Sequence, residues 1–285
     1  TPFIAISIAR NCGGDMWGAM NGHAQPFKTW IIQDGMALMW QGRGIVAISV
    51  LLTVLISGLG AVMPGPALLD AEGSTNLMGA IWQAIWFAIY AIPLIPVAYV
   101  SHIAVLRGEV GFAAMRVQSL AGLLHFARGM MAAALLVAVL GTLYQLVFVS
   151  DLLLMSTGRV DASAALRLGV GAMVALLALA LFVLLGPWGA IILQTGQARF
   201  GDVLAVGRRC FFYLFVRLLA VVLFLPILSA LVLPVMGQVV AILVALGIPA
   251  DPAFLIVSAA FSALIGCFAV VLVSVVFCRA WLQAK

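Results

Sequence analysis

Charge is nearly missing from the long apolar stretches of this 285-residue chain: 8% of residues are charged and 66% are hydrophobic. A mean hydropathy of +1.26 leaves more apolar surface than a water-soluble fold can bury, so the chain's main solvent is hydrocarbon. Histidine is reduced to His23, His102 and His125, with no HExxH helix or other ligand spacing around them, and no metal site is expected. Cys12, Cys210, Cys267 and Cys278 show no paired spacing, which argues against a disulfide framework. The GxSxG elbow, the Walker loop, the GxGxxG turn and paired intramembrane aspartates are all lacking, so neither an enzyme nor a bound cofactor is expected. No carboxylate or histidine stands at the centre of an apolar run, the usual seat of proton- or sodium-coupled transport.

What is present is apolar length. A crossing helix needs roughly 20 apolar residues, because each adds about 1.5 Å against a core about 30 Å thick. Residues 45–63, 78–100, 130–149, 168–193, 212–233 and 254–278 satisfy this, predicting an all-α polytopic membrane protein of six transmembrane helices arranged as three hairpins. Residues 239–246 are apolar but short, and Pro234, Gly237, Gly247, Pro249 and Pro252 surround them. A re-entrant or surface piece is expected there.

The connections separate by sign. Lys28 and Arg43 precede the first run; Arg107, Arg116 and Arg128 follow the second; Arg199, Arg208 and Arg209 follow the fourth; Arg279 and Lys285 close the chain. The alternate connections carry Asp70 and Glu72, then Asp151, Arg159 and Asp161 with Arg167 at the start of the fourth run, then Asp251. Because short cytoplasmic loops retain Lys and Arg, both termini are expected in the cytoplasm. The net charge of +5 then faces anionic headgroups, each nearby cation contributing about 1 kcal/mol, rather than a nucleic acid. Lys28, Arg43, Arg107, Arg116, Arg128, Arg199, Arg208 and Arg209 are the candidate headgroup ligands.

The cytoplasmic segments also look alike. Phe27, Gln33 and Arg43 match Phe112, Gln118 and Arg128 at equal spacing, and RGEV at residues 107–110 resembles RFGDV at residues 199–203. Trp30, Ile31, Met36, Leu38 and Met39 recur near helical spacing, predicting an amphipathic interfacial helix. Residues 25–285 are therefore expected to form one domain of three units, 25–107, 108–198 and 199–285, each an interfacial helix followed by a hairpin. Residues 1–24 are expected to be a disordered or non-native extension, with Met16 and Met20 as alternative starts.

Several features admit a chemical reading. Pro93, Pro96 and Pro187 free helix carbonyls and could line a solute path, together with Gln83 and Gln145, or they are packing kinks. Trp82, Trp86 and Tyr90 share a helix face and either stack on an apolar ligand or anchor the interface. Ser258, Ser262 and Gly266, four apart, allow close helix approach. Arg217 is expected to snorkel to the headgroups. His102, His125, Glu109 and Asp202 are the one grouping from which an intramembrane active site could be assembled.

The segments GMALMWQGR, GPWGAIILQTGQARFGDVLAVGRR and VVFCRAWLQ resemble a broad group of uncharacterised six-span bacterial inner-membrane proteins, and are distantly similar to the membrane domain fused to glycerophosphodiester phosphodiesterases. That resemblance covers most of the chain after Gln25 and implies the fold alone, since the phosphodiesterase domain is absent from this sequence. The mitochondrial carriers, also six-span and threefold, are set aside because the odd runs do not end in their Pro-x-acid-x-x-base signature. The expectation is a non-enzymatic accessory, assembly or lipid-organising protein, with membrane lipid and either a membrane partner or a second copy as partners. The alternative is a permease for a small or amphiphilic solute.

Overall fold

The computed structural model describes residues 30–63, 65–66, 76–117, 120–156 and 162–284; the side chains of residue 137 and of residues 140–168 are not described. The expectations for residues 1–24, Lys28, Asp70, Glu72 and Gln118, and for the Gln145 side chain, fall outside these.

The described residues are helical, without a strand. In chain order the helices are α1 (Ile31–Gln41), α2 (Arg43–Val62), α3 (Leu77–Ala91), α4 (Leu94–Arg107), α5 (Gly111–Ala114), α6 (Leu120–Ser156), α7 (Ala162–Leu185), α8 (Trp188–Thr195), α9 (Phe200–Arg209), α10 (Phe211–Ala245) and α11 (Ala250–Ala284). Four stretches are long and apolar enough to cross a membrane: α2, residues 169–195, α10 and α11. The bent pair α3–α4 makes up to five. Leucines such as Leu51, Leu55, Leu177, Leu223 and Leu231 are exposed, which water would penalise and lipid does not.

Each break has a residue-level cause. Pro93 cannot donate a backbone N–H and its ring crowds the preceding turn, so α3 and α4 meet at 44°. The freed region is held by Ser49, whose hydroxyl donates to the Pro93 carbonyl at 2.6 Å. Gly186 and Pro187 separate α7 from α8 in the same way. Both α4 and α8 then stop at a left-handed glycine, Gly108 (φ 79°) and Gly196 (φ 76°), a conformation that costs a side-chain-bearing residue about 1 kcal/mol or more. At their entrances, α1 gives way to α2 at Gly42 and α9 to α10 at Cys210, through nearly equal backbone angles (φ −89°, ψ 10° and φ −105°, ψ 15°).

Two sequence expectations are corrected. α10 does not end near Leu233 with a separate piece following. It runs 35 residues to Ala245, through Pro226 and Pro234. Each proline subtracts one hydrogen bond from a long ladder that continues on both sides of it. What stops the helix is Gly247, where Ile248 N–H reaches Leu243 O and Gly247 N–H reaches Val244 O, the paired bonds of a Schellman ending. The matched pair Arg43 and Arg128 also differs in place: Arg43 opens α2, whereas Arg128 lies well inside the continuous α6, and the second unit's short helix, α5, is one turn.

α11 is the mast of the bundle. It packs against α1, α2, α4, α8, α9 and α10, and its second half is buried almost residue by residue, from Val271 and Leu272 through Ser274 to Cys278 and Ala280. α10 returns antiparallel along it, with Cys210 Sγ 3.5 Å from Ala280 O. α1 is more than an interfacial helix: Ile31 and Gly35 are buried, and Gly35 lies so close to Leu272 that a Cβ there would come within 2.6 Å of its side chain. The opposite face of α1 shows Met36 and Trp40 to the surroundings.

Candidate functional site

One end of the bundle collects the cations. Arg107 Nη2 donates to Leu193 O at 2.9 Å, tying α4 to α8, and Arg209 Nη1 donates to Ala284 O at 2.8 Å, tying α9 to the end of α11. Trp281 Nε1 reaches Gln194 Oε1, and Arg279 forms an ion pair with Asp34 of α1, both side chains nearly buried. These contacts bring the start of α1, the ends of α4, α8, α9 and α11, and the beginning of α10 to one level. Charged groups and helix termini gather there because their backbone and side-chain donors need partners that hydrocarbon lacks.

The headgroup candidates divide accordingly. Arg107 and Arg209 are committed to backbone carbonyls at helix ends. Arg43, Arg116, Arg128, Arg199 and Arg208 are exposed, and no carboxylate among the described residues pairs with any of them. Arg43 lies over the Trp40 ring at 5.0 Å, and Arg217 over the Tyr213 ring at 5.6 Å, which extends each guanidinium along an aromatic face. Beside them burial pushes the Cys210 thiol up, the neighbouring Arg209 guanidinium partly opposing it.

The histidines part company. His102 is buried. It is 3% exposed in the core of α4, packed against the Phe126 ring and against Gly189, and its Nδ1 donates to Ala98 O at 2.8 Å. Because a carbonyl can only accept, the proton sits on Nδ1, and Nε2 faces Gly189 without a partner. His125, Glu109 and Asp202 are exposed, so the four residues are not gathered in one site. Among the described residues no three His, Cys, Asp or Glu side chains converge as metal ligands.

The other end of the bundle is open. A cleft of about 930 Å3 lies between the last half of α2, the whole of α3 and the first half of α11. Its α3 wall is the aromatic stripe Trp82, Trp86 and Tyr90, successive rings 6.0 Å apart, with Gln83 beside it. The facing walls are small: Thr53, Ser57 and Gly60 on α2, and Ser258, Ser262 and Gly266 on α11. Thr53, Ser57 and Ser258 donate to carbonyls of their own helices, which suits hydroxyls at membrane depth. Among the described residues, no charged side chain lines the space.

This arrangement redistributes the sequence-based candidates. Pro93 and Pro187 are buried and Pro96 is half-buried, all three outside the lining, and Gln83 alone of the described candidates belongs to it. Pro93 acts indirectly, by bending the helix that carries the aromatic wall. The stripe of small residues on α11 is cleft wall rather than tight helix contact: an added Cβ at Gly266 would meet only Leu94, at 3.7 Å. The aromatic spacing was visible in the sequence; its neighbours across the cleft were not. No family model, curated protein or solved structure matches the chain.

Proposed function

We propose that this chain is a non-enzymatic, multi-pass protein of a bacterial inner membrane that organises anionic lipid at its arginine-bearing end, both termini on the cytoplasmic side. The observation that carries the reading is the set of five exposed, carboxylate-free arginines, Arg43, Arg116, Arg199 and Arg208 near helix ends and Arg128 inside α6. A guanidinium offers a planar, multidentate donor set to a phosphodiester, and it keeps its charge at the membrane surface. Six crossings fit this arrangement when α3–α4 and α7–α8 each count as one bent crossing and α6 is added. The threefold repeat draws support from the shared Pro breaks and glycine stops of α4 and α8 and from the matched entrances to α2 and α10.

The test is reconstitution of the full chain in nanodiscs of phosphatidylcholine with or without phosphatidylglycerol. Phosphatidylglycerol should raise the melting temperature and be retained on extraction, and neutralising the five arginines to Gln should abolish the difference. At about 1 kcal/mol for each cation near the surface, a single Arg→Gln should weaken the preference about fivefold. Equal stability and equal retention in both lipids would refute the reading. The cleft favours a second reading, a permease for an amphiphilic solute, which predicts accumulation of such a solute in proteoliposomes.

A further inference from the structure

A cleft lies at the end opposite the arginines. We infer that the cleft between α2, α3 and α11 holds a neutral lipid-like amphiphile, its apolar body against Trp82, Trp86 and Tyr90 and its uncharged polar head near Gln83. Volume is the first argument: about 930 Å3 lies within the range of ligand sites, roughly 300–1,000 Å3. Shape is the second. Large flat rings form one wall and residues with little or no side chain form the other two, so an elongated apolar body can lie against the rings without displacing bulky groups.

Polarity and charge select the class. Gln83, Tyr90 and Ser262 have no hydrogen-bond partner among the described residues, and their amide and hydroxyl groups suit a hydroxyl or ester head rather than an ion. The cationic end cannot supply a phosphate's counterions here. Twenty residues of α2 separate Arg43 from the rim of the cleft at Met63, about 30 Å along the axis. Asp251, exposed one turn before Leu255 of the cleft wall, repels an anionic head. A phosphate-bearing lipid therefore belongs at the arginine end and an uncharged one at this end.

The site is tested with the full chain in phosphatidylcholine nanodiscs carrying a trace of diacylglycerol or of phosphatidylglycerol, each with a photoreactive diazirine in its acyl chain. After irradiation, labelled peptides are mapped by mass spectrometry. The diacylglycerol probe should label residues 82–90 of α3 and 258–266 of α11 about tenfold more than the phosphatidylglycerol probe does, a difference well above the scatter expected from lipid collisions. Ser262→Phe, which fills the cleft from an exposed position, should remove that labelling, with Gly60→Leu as the independent filling variant. Leu55→Phe on the lipid-facing side should leave it intact. Equal labelling by the two probes, labelling that survives both filling variants, or labelling confined to lipid-facing positions such as Leu51 and Leu55 would overturn the site. Retention of phosphatidylglycerol by the same samples reads the arginine end separately, so either end can fail alone.

Discussion

Neutralising Asp34 or Arg279 tests how α1 is fastened to the mast. The two side chains are 11% and 12% exposed and form the one ion pair among the described residues. Two unit charges about 4 Å apart attract by about 4 kcal/mol at an effective dielectric constant near 20, and desolvation takes back much of that. Removing one member is worse than removing both, because the survivor stays buried without its counter-charge. Arg279 illustrates the exposure to this penalty, since its Nη1 already lacks a partner. Buried pairs lose about 3–5 kcal/mol when one partner is deleted, and the residual solvent contact here lowers the expectation to about 2–3 kcal/mol for Asp34→Asn or Arg279→Gln. The double variant should lose no more than the worse single variant, giving a coupling of about 2 kcal/mol. At about 2–4 °C per kcal/mol, each single change lowers the melting temperature by about 4–12 °C. Tryptophan fluorescence during heating in nanodiscs measures all four proteins, and about 1 M salt should change the coupling little because the pair is shielded from ions. Additive losses in the double variant would refute the reasoning, showing that the two residues act independently.

Three further outcomes can be checked on the same material. Gly207→Ala should destabilise by about 1–3 kcal/mol, because the new Cβ meets the Leu184 backbone carbonyl at 2.3 Å; Gly201→Ala in the same helix meets nothing within 4 Å and should gain up to about 1 kcal/mol of helix propensity, so thermal melts must move in opposite directions. Ser49→Ala removes the 2.6 Å bond that holds the Pro93 break and should cost about 1 kcal/mol, while Ser57→Ala, whose hydroxyl serves only its own helix, should stay within about 0.5 kcal/mol. Burial raises the Cys210 pKa above its ordinary value of 9.0, so at pH 8 less thiolate is present than in a free cysteine. Maleimide labelling followed by peptide mass spectrometry should find Cys210 about tenfold slower than Cys at position 208 in Arg208→Cys, and comparable rates at pH 8 would contradict the burial.

Apolar run length made the helices legible, because a backbone in hydrocarbon has no other way to satisfy its donors and acceptors. Helix ends were less so. Pro234 looked like a terminator, yet within a 35-residue ladder one missing N–H is a local loss, and the true ending at Gly247 depends on a bond pattern that a glycine-rich stretch does not advertise. Pro93 was legible as a break but not as the reason for a cleft, since the consequence of a bend lies in what it tilts: Trp82, Trp86 and Tyr90, one on each successive turn of the neighbouring helix. His102 sits five residues before Arg107 in the sequence. Its depth is set by α6 and α8 closing over it through Phe126 and Gly189, contacts that sequence neighbourhood cannot reveal.

The same limit explains why α11 gave no sign of its central place. Uniformly apolar helices carry no stripe to mark an inward face, so lipid-facing and core-facing runs look alike. What separates them here is the volume carried on the face that borders the cleft. From Val271 to Ala280 it is buried on nearly all sides; from Leu255 to Gly266 the face that borders the cleft is mostly small, Ser258, Ala259, Ser262, Ala263 and Gly266, while Phe261, Leu264 and Ile265 lie outside the lining. A helix clamped toward its C-terminal end by the Asp34–Arg279 pair and the Arg209 cap, and small on one face toward its N-terminal end, holds the cationic end together and leaves space at the opposite end. The two proposed lipid sites therefore depend on one element, and a bulky substitution placed high or low on α11 should affect one site without the other.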